Sequence, residues 1–314
     1  MDSQSAIHAR DLRKHFGRVH ALAGLDLEVP RGTVFGLVGE NGAGKTTFIK
    51  LLLGIAHPSG GEVSVLGGSP QDVAIRRRIG YLPENLQLPA ALTAWQFLDS
   101  VGRLKGLSGA DRRAQIPRLL SRLQLDEAAW RRKTGGFSKG MRQRTGLAAA
   151  MIGKPELMVL DEPTDGIDPL GRAQIRMVLV EAARDGATIF LNSHLLAESE
   201  KLCRHVAIVS KGRVVLSGSI EALRSTDSWR VRFVAGTDVE AIALRHGFEA
   251  DTDARAAGMV DAFRLSGHDP GTLSRTLHGA LSDGLQVIEV AARMRDLEDV
   301  LAGAVGGGGP VGGS

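Results

Sequence analysis

Apolar and polar positions along the chain fall into three successive patterns. Up to about residue 30 the apolar residues alternate, most clearly at Leu25, Leu27 and Val29, which predicts half-buried antiparallel strands. A continuous apolar run follows at Val34 to Val38 and reads as a buried strand. It leads into Thr46 to Leu53, where Phe48, Leu51 and Leu52 recur at helical spacing. Glu62 to Leu66, closed by Gly67 and Gly68, and Ile79 to Leu82 read as further strands. From Thr93 the period becomes helical: Thr93 with Gln96 makes a capping box, the helix stops near Gly106, and a helical insertion is expected across about 85–153. Alternation of strand and helix then resumes. Leu157 to Asp161 reads as a strand, Asp168 followed by Pro169 starts a helix, and Ala187 to Leu191 reads as the next strand. Lys211 and Gly212 separate two apolar runs as a hairpin that closes this region near Gly218.

Beyond Ser225 the pattern changes again, with strands expected at Trp229 to Val234, Met259 to Leu265 and Leu285 to Val290 between helical stretches. The division expected is therefore a main domain over 1–224, a small α/β domain of ferredoxin-like type over 225–302, and a glycine-rich flexible tail over 303–314. The chain has 314 residues, 43% of them hydrophobic, enough for one sizeable core and a smaller one. Cys203 is the single cysteine, so no internal disulfide is possible. The first residues lack the apolar core of a leader, and no run reaches the roughly 20 apolar residues of a membrane span. Cytoplasmic placement is the expectation, with any membrane role supplied by a partner.

Charge is unevenly placed: residues 225–314 carry 8 basic against 13 acidic groups, while Arg103 to Lys154 carries 13 basic groups against Asp111, Asp126 and Glu127. This basic stretch has only Trp130 and Phe137 as aromatics and no nucleic-acid module, so it reads as a solvated face and no nucleic-acid partner is expected. Proximity to anionic lipid headgroups is a second reading of the same charge.

Two stretches carry chemistry. Gly39, Glu40, Asn41, Gly42, Ala43, Gly44, Lys45 and Thr46 match a phosphate loop in its proper place between a strand and a helix. Glycines let the backbone amides turn toward phosphate, and the helix N-terminus adds a favourable dipole. Lys45 would pair with the β- and γ-phosphates and Thr46 would ligate Mg²⁺. In the second stretch, Leu157 to Asp168, an apolar run stops at Asp161 and Glu162, which suits one acid to a hydrated Mg²⁺ and the other to a water.

Phe137 to Arg144, F-S-K-G-M-R-Q-R, resembles the signature motif of ABC transporter ATPases, and with the stretches above the resemblance runs from about residue 6 to about residue 220. It implies an α/β P-loop NTPase fold, with a RecA-like core, an antiparallel β layer and a helical subdomain, and the C-terminal α/β domain added. It also implies ATP and Mg²⁺ as cofactors. By resemblance, Phe16 is the aromatic that stacks on adenine, and Gly39 to Thr47 is the Walker A stretch, including Thr47. Asp161 is the Walker B acid, Glu162 the general base, Asp168 the D-loop acid and His194 the switch histidine. Catalysis would rest on Glu162, His194 and Lys45, and metal ligation on Thr46, Asp161 and Glu84. Ser138, Lys139 and Gly140 would meet ATP held by a second subunit.

Three positions depart from the family pattern: Glu84 stands where Gln is usual, Lys139 where Gly is usual, and Glu40 where Pro is commoner. Glu84 can still ligate Mg²⁺ but adds negative charge, so slower hydrolysis or tighter Mg²⁺ dependence is expected. Lys139 either adds positive charge near a γ-phosphate across the dimer or is an exposed first-turn lysine. These details resemble export ATPases that form a homodimer, or pair with a related ATPase, and serve a separate permease from the inner face of the cell membrane. Such systems handle drugs, antibiotics, polysaccharides, lipids or copper-enzyme maturation. The alternative classes are an ABC ATPase acting on nucleic acid or the ribosome, and an ATP-sensing binding protein that does not hydrolyse.

Overall fold

A computed structural model describes residues 5–193, 200–236, 238–256, 258–259, 261–267, 269–295 and 297–306. The chain divides into two compact units, Met1–Ile220 with Leu301–Ser314, and Glu221–Val300. Alternation in the N-terminal segment produces an antiparallel layer: β1 (Ser5–Phe16) lies between β2 (Val19–Pro30) and β4 (Gly60–Val65). The continuous apolar runs become the centre of a six-stranded sheet. They are β3 (Val34–Val38), β6 (Leu157–Asp161) and β7 (Thr188–Asn192), each buried at all five positions, as strands covered on both faces must be. With β5 (Ile79–Leu82), β8 (His205–Ser210) and β9 (Arg213–Ser219) the order is β5-β6-β7-β3-β8-β9, parallel as far as β8 and closed by the antiparallel hairpin β8–β9.

Register decides where the chemistry lies. Asn192 is paired both with Leu37 of β3 and with Asp161 of β6. The chain leaving β3 at Gly39 and the acids leaving β6 therefore emerge side by side at the carboxyl edge of the sheet, where open α/β sheets bind ligands. Behind this edge Phe35 stacks on Phe190 at 6.1 Å and Phe48 meets Phe190 edge-on at 5.9 Å, all fully buried. Phe48 comes from α1 (Lys45–Leu52), so one aromatic cluster holds the helix start against the strands that carry the acids.

α2 (Val73–Arg77) precedes β5, and the helical segment then comprises α3 (Ala94–Leu104), α4 (Gly109–Arg122), α5 (Glu127–Trp130) and α6 (Lys139–Met151). The capping box is formed: Thr93 Oγ1 accepts from Gln96 N at 3.1 Å and Gln96 Oε1 from Thr93 N at 2.9 Å. α6 lies hard against β5. A methyl group on Gly80 would stand 1.9 Å from the Ala150 carbonyl oxygen, so only glycine permits the approach. α7 (Pro169–Arg184) starts, as read from the sequence, with Asp168 as its cap and Pro169 in its first turn.

Some boundaries move from those read in the sequence. The strand expected at Glu62 to Leu66 starts at Gly60, because Arg13 of β1 pairs with Gly60. The strand expected at Ala187 to Leu191 is Thr188–Asn192, a shift that puts Asn192 at the sheet edge.

Within Glu221–Val300, strands Ser225–Phe233, Glu249–Ala250, Ala262–Ser266 and Val287–Met294 form an antiparallel sheet. Numbered along this unit, their spatial order is 4-1-3-2, and helices Val239–Arg245 and Pro270–Ser282 connect them in the βαββαβ sense of ferredoxin-like modules. Its core is a second aromatic cluster, with Phe233 against Phe248 at 5.2 Å and Phe263 at 5.6 Å. The strand expected from Met259 begins only at Ala262, whose amide turns back onto the Met259 carbonyl at 3.1 Å. Strand Glu249–Ala250 is not legible in the sequence, since two residues carry no period.

Candidate functional site

Gly39 follows β3 directly, and a methyl group there would meet Val209 O at 2.2 Å, so the loop leaves the sheet pressed against β8. Gly42 and Gly44 take left-handed backbone at φ 84° and 107°, which folds the chain back over its own start. Lys45 closes the ring: its ammonium donates to Gly39 O at 2.5 Å and Glu40 O at 2.9 Å. No side chain caps α1, so the amides of its first turn remain available to an anion. Gly42 has open space where a side chain would be, and Asn41 and Thr46 are exposed, with Thr47 half-buried beside them. Burial pulls the Lys45 ammonium below its ordinary pKa, and the carboxylates of Glu162, Asp161 and Glu84 oppose that, so these three acids are its charged surroundings.

Asp161 is 3% exposed and accepts from Asn192 Nδ2 at 2.5 Å. Burial pushes its carboxyl upward, the Asn192 amide opposes this, and Glu84 and Glu162 push it up further. Such a site favours whatever positive charge enters it. Glu162 has left-handed backbone at φ 49°, a conformation that costs a residue with a Cβ about 1–2 kcal/mol. Its peptide groups are held from two sides: its N–H donates to Asn192 O at 3.0 Å, and its carbonyl accepts from the buried Gln143 Nε2 at 2.9 Å. Ser193 Oγ donates to the carboxylate at 3.4 Å.

Glu84 lies just beyond β5, exposed, on the wall of a cleft of about 430 Å³ that is also lined by Lys139, Arg142 and Gln143. Ser138 caps α6, accepting from Met141 N at 3.2 Å. Lys139 is engaged within its own chain: Nζ pairs with Asp165 at 2.6 Å and its methylenes lie over Gly166. Gly140 has nothing closer than Gly166 O, at 3.7 Å from an added methyl, so no neighbour within the described chain requires glycine there. Phe16 is 52% exposed, with Lys14 Nζ 5.0 Å from its ring centre. Asp168 spends one oxygen on Gly171 N at 2.9 Å, and that backbone bond holds its carboxyl below the ordinary range. His194 lies outside the described residues.

The structure thus brings Lys45, Glu84, Asp161 and Glu162 to one sheet edge and leaves Phe16, Ser138 and Gly140 open to solvent or half-buried. Sequence reasoning missed Asn192, Ser193 and Gln143. For Asn192 a signal existed, because a polar residue closing an apolar strand is the same pattern that marks Asp161. Among the described residues no group of three or more His, Cys, Asp or Glu is placed to hold a metal. The donors at hand, the Asp161 carboxylate with Thr46 and Glu84, are oxygens, the set that suits Mg²⁺ sharing its shell with phosphate and water.

A family model described as ABC transporter matches residues 22–165. Daunorubicin resistance ATP-binding protein DrrA3 of Streptomyces coeruleorubidus is 35% identical over 95% of this chain and 95% of its own. Nod factor export ATP-binding protein I of Cupriavidus pinatubonensis is 33% identical over 93% and 89%. Among solved structures, an ATP-binding subunit of an ABC transporter is 32% identical and superposes with a TM-score of 0.66 over 70% of this chain and 92% of that one. A phosphate loop, an acid pair at the neighbouring strand end and relatives matched over nearly their whole length agree, and the chain belongs to the ABC transporter ATP-binding proteins, the ATP-hydrolysing subunits of transporters.

Proposed function

We propose that two copies of this chain close around two ATP molecules and drive export through a separate permease, from the inner face of the membrane. The observation that carries the hydrolytic half is the convergence of Lys45, Asp161 and Glu162 at one edge, with Glu162 held by its backbone. In this reading the loop Gly39 to Thr47 wraps the phosphates and Phe16 stacks on the adenine. Lys45 leaves its two carbonyl partners for the β- and γ-oxygens, and the Glu162 carboxylate orients the attacking water and takes its proton. Asp161, Thr46 and Glu84 would hold Mg²⁺, which neutralises charge developing on the phosphate oxygens. His194 would complete the γ-phosphate contacts.

The dimer reading is supported by Gly140. Gly140 stands in the first turn of α6, and no neighbour among the described residues of its own chain accounts for a glycine there. An approaching phosphate would, and Ser138 stands two residues away at the same helix start. The relatives named for drug resistance and Nod factor export favour transport over action on nucleic acid or the ribosome. No described helix is long and apolar enough to cross a membrane, so this reading gives the pathway to another chain.

Glu162→Gln tests the reading. Turnover should fall by about 10²–10⁴, the range for loss of a general base. The variant should also run as a dimer on sizing with Mg-ATP; a protein that stays monomeric under those conditions contradicts the sandwich. Pull-down of the trapped variant from native membranes should recover a multispanning protein, and recovery of ribosomal or DNA-bound partners alone would count against transport.

A further inference from the structure

The geometry points to Gln143 as a positioning residue of the hydrolytic step, acting through the backbone of Glu162. Gln143 is 4% exposed, and its side-chain amide donates to the Glu162 carbonyl at 2.9 Å, across nineteen residues of sequence. The peptide it grips belongs to a residue at φ 49°, and strained backbone persists only where its surroundings overdetermine it. Here Gln143 and Asn192 supply that from opposite sides, Asn192 by accepting the Glu162 N–H at 3.0 Å. Release of either would let the peptide relax and swing the carboxylate away from where it must orient a water.

Gln143 also sits on the second turn of α6, which Ser138 caps and whose first turn carries Gly140. A helix moves as a unit, so displacement of its N-terminus reaches the Glu162 backbone through one hydrogen bond. Resting on the sandwich reading above, this means that ATP bound by the partner subunit adjusts the base that acts on this subunit's own ATP.

The test compares Gln143→Met and Gln143→Glu with the parent, in full-length protein, by steady-state hydrolysis and by fluorescent-ATP titration. Methionine keeps the length and loses the donor. Its kcat should fall about 10- to 100-fold, the cost of a misplaced catalytic group, with KM and nucleotide affinity within about twofold. In a Glu162→Gln background the same change should cost less than twofold, because the group it positions is gone. An equal loss in both backgrounds, or a raised KM with kcat intact, overturns the assignment. Glutamate preserves the packing and separates shape from hydrogen bonding. Its carboxyl donates to the carbonyl when protonated and repels it when ionised, so kcat relative to the parent should fall as pH rises; parent-like turnover at every pH refutes the role. Full turnover in Glu162→Gln alone would instead remove the reading of Glu162 beneath it.

Discussion

A methyl group at Gly39 would stand 2.2 Å from the Val209 carbonyl, whereas one at Gly42 would meet nothing within 4 Å. The two glycines of one loop therefore do different work. Gly39→Ala must push β3 from β8 and should cost about 1–3 kcal/mol of stability. Gly42→Ala meets only the left-handed backbone penalty, about 1–2 kcal/mol, yet places a methyl group in the open space that the proposed function gives to phosphate. We expect the two variants to separate when melting and fluorescent-ATP titration are compared. Both variants should melt lower, and Gly42→Ala should in addition lose affinity at least tenfold, beyond the loss in Gly39→Ala, because its methyl group stands in the open space of the loop. Loop glycines, Lys45 and the acid pair were legible in the sequence because the chemistry of each lies within a few adjacent residues. The partners of those groups were not: Asn192 reaches Asp161 across 31 residues, through strand register alone.

Among the elements, the buried parallel strands were the most legible, since strands covered on both faces must be apolar throughout. What the strand pattern did not reveal is how closely α6 approaches β5, which turns on Gly80 and on side chains far away in sequence. Where α3 and α6 end, the ammonium of Lys105 donates to Ile152 O at 3.0 Å. Burial draws this ammonium down to about 8 from an ordinary value of 10.5. The sign of its effect follows: between about 8 and 10.5 the unfolded chain holds a proton that the folded chain has released, so stability rises with pH across that window. Lys105→Met lacks this contribution. Melting curves taken over the window should move in the parent's favour as pH climbs, and a constant difference between the two proteins would contradict the assignment.

For the whole molecule the relevant fact is that each of the two units has a hydrophobic core of its own. The core built on Phe35, Phe48 and Phe190 draws every member from residues before 215, and that built on Phe233, Phe248 and Phe263 draws its members from 229–287. Units with separate cores are able to fold alone. A chain ended after Ile220 should therefore bind fluorescent ATP within about threefold of the full-length affinity, and a loss beyond tenfold would mean that the first unit depends on the residues that follow Ile220. The charged residues of the second unit are largely paired among themselves, as in Arg230 with Asp251 at 3.1 Å and Arg232 with Asp261 at 2.9 Å. Pairing removes equal numbers of both signs, so the excess of acids over bases read from composition stays with this unit.

The sequence by itself determined the loop, the acid pair, the signature stretch and their order, because each is a local pattern set by backbone freedom, hydrogen-bonding type and period. Tertiary structure alone decided which residues hold those groups: that Asn192 and Gln143 grip the Glu162 backbone, and that Lys139 turns to Asp165 in its own chain. Strand register and helix packing join residues far apart along the chain, and no window of neighbouring residues encodes that pairing.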